Sequence, residues 1–254
     1  NKQFSEGRIN LAWKRSLGEV EDEGRGSFYD LKNRHFITGG YTMTHSPDPE
    51  RAIPYLRVLK KDGIVAYSKY YPELHGSLSP AKGIGNQFVA TTSIYSKDYF
   101  TGTKLLIFNS DFKVTASYSV DTNLFDVPLG VVSDGTFYYL AVGHYDWRGG
   151  THDKIPFSYS IYKINDSGQL VLSNNFSPKN PAGDVLSSSD IVSSTVYFKE
   201  GFLFLAINYM LTDKKYWKNI DAELFRENPS CYGGKHFSDL IKINSRSIKL
   251  SNVE

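Results

Sequence analysis

The densest run of reactive side chains is His144-Tyr145-Asp146-Trp147-Arg148-Gly149-Gly150-Thr151-His152-Asp153. Imidazole and carboxylate groups can coordinate a transition metal, and His144, Asp146 and His152 are the candidate ligands here. Trp147 and Arg148 can form a flat platform that stacks on a sugar ring or an aromatic partner. The bland reading is a solvated loop in which Trp147 packs on a neighbour and Arg148 meets an acid. No close-spaced ligand motif such as HExxH occurs. The run therefore points to a binding surface first and to a metal site second, and no resident cofactor is predicted.

Other chemistry-bearing residues are weaker. Cys231 stands in Ser230-Cys231-Tyr232-Gly233-Gly234 with His236 close behind, but nothing else completes a Cys/His hydrolase. The pairs Gly39-Gly40, Gly149-Gly150 and Gly233-Gly234 lack the lysine and the strand–loop–helix setting of a phosphate loop. Asn165-Asp166-Ser167 and Asn175-Phe176-Ser177 are glycosylation sequons, and Asn165, at a hairpin tip, is the better acceptor.

These residues must be positioned by strands. The segments Ile9–Lys14, Ile64–Lys69, Val114–Tyr118, Leu170–Asn174 and Ile248–Asn252 resemble one another. So do Phe36–Tyr41, Phe88–Ile94, Tyr139–Tyr145 and Phe202–Tyr209. Each copy reads as strand, turn, strand, long loop, strand, turn, strand. Turns such as Asp62-Gly63 and Asp134-Gly135 carry the residues that tight hairpins need. Four strands per unit at this period predict an all-β propeller with four recognisable four-stranded blades. The whole chain, 1–254, reads as one domain, with blades at about 26–70, 81–119, 128–174 and 190–253. Residues 9–16 are an extra or ring-closing strand. That surplus favours a piece of a larger ring over a complete one.

Within this frame Gly83–Gly85 is a weak inner strand and Ser96–Gly102 a connecting loop. One short helix is expected at about 214–227, with Asp213 as N-cap and Asn228-Pro229 as stop. It would set Trp217, Ile220 and Leu224 on one side.

Strand order also sorts the loops. Loops between second and third strands share an end with the links between blades, and the hairpin turns occupy the other end. His45, His75, His144, His152 and His236 fall on the long-loop end, and His35 on the turn end. The predicted binding face comprises His45, His144, Asp146, Trp147, Arg148, His152, Asp153, Trp217 and His236. No catalytic residue is assigned.

Composition sets bounds. Of 254 residues 40% are hydrophobic, 22% charged and 15% aromatic, which is ample for a β-rich core. The net charge of +2, with both signs interspersed, excludes a nucleic-acid stripe. No apolar run is long enough to span a membrane. A single cysteine rules out an intrachain disulfide without fixing the compartment. The chain starts at Asn1, which reads as a removed signal peptide or a trimmed piece.

Trp13-Lys14, Phe36-Ile37-Thr38-Gly39-Gly40-Tyr41-Thr42 and Asp62-Gly63-Ile64-Val65-Ala66-Tyr67 form one further pattern. Leu140-Ala141-Val142-Gly143 and Asp166-Ser167-Gly168 continue it in the third copy. This pattern resembles a family of secreted bacterial and archaeal β-propeller repeats. The resemblance implies a secreted, periplasmic or cell-surface location and a binding or scaffolding surface, with no shared reaction. A protein subunit or a glycan is the partner expected. The rival reading is a propeller enzyme, glycan-processing or quinone- or metal-dependent, with its site at the ring axis. Small uncharged residues at Ser27, Gly83, Gly85, Gly130 and Ser193 on the expected inner strands favour the binding module.

Overall fold

The computed structural model describes residues 22–30, 35–47, 52–74, 76–96, 99–122, 124–145, 157–177, 191–211 and 235–251. Blade 1 holds β1 (Asp22–Asp30), β2 (His35–Thr42), β3 (Ile53–Leu59) and β4 (Val65–Tyr70). Blade 2 holds β5 (Ser79–Lys82), β6 (Phe88–Ser96), β7 (Tyr99–Phe108) and β8 (Val114–Val120). Blade 3 holds β9 (Phe125–Ser133), β10 (Tyr138–Tyr145), β11 (Phe157–Ile164) and β12 (Leu170–Phe176). Blade 4 holds β13 (Ile191–Lys199), β14 (Phe202–Leu211), β15 (Lys235–Asn244) and β16 (Lys249–Ser251). Each sheet is antiparallel and ordered as the chain runs.

The inner strands pack in succession, β1 on β5, β5 on β9 and β9 on β13. The outer strands β4, β8, β12 and β16 are largely exposed. Four sheets stacked side by side around a common centre make a β-propeller. Among the described residues there is no helix. The helix expected at 214–227 lies outside them.

Strand periodicity explains the core, because alternate side chains leave a sheet on opposite sides. Ile37, Leu56 and Val58 of blade 1 meet Phe88, Ala90, Leu106 and Phe108 of blade 2. The alternate residues of blade 2, Val89, Leu105 and Ile107, meet Tyr138, Leu140 and Val142 of blade 3. Tyr139, Ala141, Tyr159 and Ile161, from the opposite side of blade 3, meet Leu203, Leu205, Ile207 and Ile243 of blade 4. Each buried Val, Leu, Ile or Phe side chain among these contributes about 1.5–3 kcal/mol. The stacked rings of Phe88 and Phe108, 4.6 Å apart, sit in the first of these seams.

Two sequence expectations are corrected. Gly83–Gly85 is a turn, and the inner strand of blade 2 is Ser79–Lys82 just before it. A side chain at Gly83 would meet the Gln87 backbone at 2.6 Å, Gly85 has φ +59°, and Gln87 N donates to Ile84 O. Those features suit a reversal and not a ladder. Ser96–Gly102 is largely strand, because β6 and β7 pair out to Ser96 and Tyr99. Gly102 allows this, since a Cβ there would lie 2.4 Å from Val120 O.

Candidate functional site

The loop end of blade 3 carries the most organised polar cluster among the described residues. His144 lies near the end of β10 and Asp126 near the start of β9, directly across the ladder from it. Ser160 comes from β11, on the side of the sheet that faces blade 2. His144 Nδ1 is 2.5 Å from Asp126 Oδ1, and His144 Nε2 is 2.8 Å from Ser160 Oγ. Exposure is 3% for His144, 0% for Asp126 and 6% for Ser160.

Asp126 and Ser160 have further partners. Thr122 donates its backbone N–H to Asp126 Oδ2 at 2.8 Å and its hydroxyl to Oδ1 at 2.7 Å. Thr103, from β7 of blade 2, donates to the Asp126 carbonyl at 2.9 Å. A carboxylate only accepts, so His144 Nδ1 donates to it and Nε2 is left to accept the Ser160 hydroxyl. Asn175 Nδ2 donates to Ser160 Oγ at 3.1 Å and to Ser158 Oγ at 3.3 Å. Tyr162, two residues along β11, lies edge-on to the His144 ring at 6.4 Å. Burial pushes the Tyr162 hydroxyl pKa above the usual tyrosine range.

This connectivity is that of an acid–base–nucleophile relay. A relay also needs room for an acyl group beside the nucleophile and donors for the oxyanion. Ser160 is buried, and its oxygen is engaged by both His144 and Asn175. The geometry works instead as a clasp. It joins the start of β9, the end of β10 and the start of β11, and ties them to blade 2 through Thr103. Residues 146–156 leave from the end of β10 and return at the start of β11, so the clasp grips both roots of that segment.

At the turn end, blade 3 is clamped on both sides by neighbouring tyrosines. The Tyr138 hydroxyl points to blade 2, donating to Gln87 Oε1 at 2.7 Å and accepting from Ile84 N at 3.1 Å. The Tyr139 hydroxyl points to blade 4, donating to Asp134 Oδ2 at 2.7 Å beside the Ser245 carbonyl at 3.4 Å. Lys163 donates to that carbonyl at 3.2 Å and covers the Phe137 ring at 4.3 Å. Burial alone would raise the Asp134 pKa. Hydrogen bonds from Phe137 N, the Tyr139 hydroxyl and Thr136 N, with the Lys163 charge, outweigh it and hold Asp134 below the usual carboxylate range.

Of the residues expected on the binding face, His144 is thus an interior clasp residue with both ring nitrogens bonded. His45 is exposed on blade 1, its ring 4.3 Å from that of Tyr70. His236 stands on β15 opposite Met210, and its side chain lies outside the described part. Asp146, Trp147, Arg148, His152, Asp153 and Trp217 lie outside the described residues. Among the described residues no group of three or more His, Cys, Asp or Glu is placed to hold a metal ion. Nor is any helix among them long and apolar enough to cross a membrane. The sequon residues differ in setting. Asn165 Nδ2 donates to Gln169 Oε1 at an exposed turn, whereas Asn175 Nδ2 serves the clasp.

No family model matches the sequence, and neither does any curated protein. Among solved structures the chain is similar to an alpha-L-arabinanase of Cellvibrio cellulosa complexed with arabinohexaose, at 10% identity and TM-score 0.44, covering 89% of this chain and 76% of that one. It is also similar to an ACO/RPE65 chimera at 10% identity and TM-score 0.40, covering 85% and 45%. A tail fiber of a Staphylococcus aureus phage matches at 13% identity and TM-score 0.29, covering 88% and 50%. The chain therefore spans about half the length of the last two. These likenesses are distant and assign no function.

Proposed function

We propose that this propeller is an exported binding module. Its long-loop end would engage a glycan or a protein subunit in a cell-surface or extracellular assembly. The observation that carries this reading is the clasp of Asp126, His144 and Ser160. A buried, fully bonded cluster fixes both roots of the segment that holds Asp146, Trp147, Arg148, His152 and Asp153. Recognition residues carried on a rigid scaffold keep more of their binding energy, because less order has to be imposed on binding. Trp147 and Arg148 would supply the stacking platform, and Asn165, at the opposite end, would accept a glycan without obstructing it.

The test is affinity electrophoresis through gels containing neutral or acidic polysaccharides, alongside capture of envelope proteins on immobilised protein. The expected result is retardation or capture by the unmodified chain that is lost in the Trp147→Ala/Arg148→Ala variant and kept in Asn165→Gln. Binding that survives the loop substitutions would move the interaction surface elsewhere.

A further inference from the structure

Blade 4 repeats, on the side turned away from blade 3, the surface with which blade 3 holds it. In blade 3, Val132, Tyr139 and Lys163 stand in one row across β9, β10 and β11, and Ala141 stands beside Ile161. In blade 4, Tyr197, Phe204 and Lys242 stand in the same row across β13, β14 and β15, and Ala206 stands beside Leu240. The match extends to the cation. Lys163 Nζ lies 4.3 Å over the Phe137 ring, and Lys242 Nζ lies 4.5 Å over the Phe202 ring. Phe137 precedes Tyr139, and Phe202 precedes Phe204, by the same step along the chain.

The two surfaces differ in what covers them. On blade 3, Tyr139, Ala141 and Ile161 are buried, and Lys163 donates to the Ser245 carbonyl in a turn of the blade seated there. On blade 4, Tyr197 is 57% and Leu240 54% exposed, and Phe202, Phe204, Ala206 and Lys242 are half-buried. Strand alternation is intact along β13. Val196 and Phe198 turn toward blade 3, while Thr195, Tyr197 and Lys199 between and beside them are exposed. An aromatic and aliphatic sheet side of this kind packs face to face on a second sheet, and left open it marks an interaction surface.

We infer that the occupant of this side is the same side of a second copy of the chain, in a two-fold dimer. No strand of blade 1 packs closely on blade 4 among the described residues. The side of β3 that a head-to-tail chain of copies would need is already buried, with Ile53 at 1%, Tyr55 at 4% and Leu59 at 4% exposure. Pairing blade 4 with blade 4 needs neither, because in an isologous contact one patch serves both copies. Charge sets the orientation. Lys199, Lys242 and Lys249 stand at the turn end of this side, with Glu200 beside Lys199, and the described loop-end residues Ser193 and Asn208 are uncharged. A two-fold axis across the strands lays the turn end of one copy over the loop end of the other. The lysines of the two copies then stay apart, whereas an axis along the strands would gather them at one end.

Sedimentation velocity of the full chain over a dilution series tests this. The expected result is a concentration-dependent passage from the single chain to a species of twice its mass. Tyr197→Lys and Leu240→Lys should each raise the dissociation constant about tenfold or more, since each sets a charge in the middle of the contact. Both side chains are exposed in the single chain, so neither change touches its core. Leu250→Lys should leave the constant unchanged, because Leu250 stands beside Ile243 on the side of the sheet turned toward blade 3. A chain that stays single throughout the series overturns the inference, whether its blade 4 side is bare, takes another protein or is covered by the chain's own residues. A dimer that both lysine variants leave intact overturns it equally. Hydroxyl-radical footprinting of the unmodified chain needs no variant. Tyr197 should be protected at the concentrated end of the series and reactive at the dilute end, and protection independent of concentration would contradict the assignment.

Discussion

The two seams of blade 3 are built from the same apolar alternation, but only the seam toward blade 2 carries a buried polar cluster at its loop end among the described residues. Toward blade 2, polar ties stand at both ends, with Asp126, His144, Ser160 and Thr103 at the loop end and Tyr138, Gln87 and Ile84 at the turn end. Toward blade 4, most ties among the described residues gather at the turn end, where Tyr139, Asp134, Lys163 and Ser245 meet and Asn174 reaches Ile248, and one more stands midway along the inner strands, from the Ser194 hydroxyl to the Leu129 carbonyl. The difference lies in where rigidity is needed. A turn end needs only to keep its sheets in register, and single hydrogen bonds worth about 1 kcal/mol each serve for that. The loop end toward blade 2 carries the roots of a long segment, and there the chain has buried a carboxylate–imidazole pair.

The largest break in that contrast should come from Asp126→Ala. It removes a buried charged acceptor and leaves the His144 Nδ1–H and the Thr122 donors without it, at a cost of about 3 kcal/mol. Chemical denaturation should show a large drop in midpoint at neutral pH. Ile248→Gly should come next. It removes a buried side chain from the blade 3/4 seam but relieves the strain of φ +50°, for a net loss of about 2 kcal/mol by thermal unfolding. Tyr139→Phe should cost about 1 kcal/mol and alter the acid limb. Asp134 titrates below its ordinary value when folded, so its stabilising contribution is present above the unfolded pKa of about 4 and is lost as pH falls through the folded value. Without the Tyr139 hydroxyl that acid-linked loss should shrink, while Tyr138→Phe should leave the acid limb as it is. The smallest change is expected for Phe112→Gly. There the relief of φ +58° and the loss of a half-buried ring nearly cancel, within about 1 kcal/mol.

Much of the architecture was legible because strand alternation and turn chemistry are local. Phe36–Tyr41 and Ile64–Tyr70 fall within one residue of β2 and β4, and Asp62-Gly63 and Asp134-Gly135 stand at the turns read for them. Misreadings arose where the local signal was weak or pointed the wrong way. Ser79–Lys82 is short and contains Pro80, so the glycines after it drew the strand toward themselves. Tyr95, Tyr99 and Phe100 extended a ladder through what polar neighbours made look like loop. The clasp was harder still. Asp126, His144 and Ser160 are brought together by register across three strands, and no fixed spacing in sequence announces that. His144 looks like the first residue of a reactive loop, yet it shares its side of β10 with Val142, Leu140 and Tyr138 and so turns into the seam. The one available clue was polar Ser158 and Ser160 alternating with Tyr159 and Ile161.

Amide hydrogen exchange on Asp126→Asn tests most directly whether the clasp anchors the loop end. The substitution keeps the size of the side chain and removes its charge. Amides of Val142–His144 and Ser158–Ile161 should lose protection while those of Tyr138–Leu140 and Lys163–Ile164 keep it. Protection that stays unchanged at the loop end, or that falls equally at both ends of blade 3, would contradict that account.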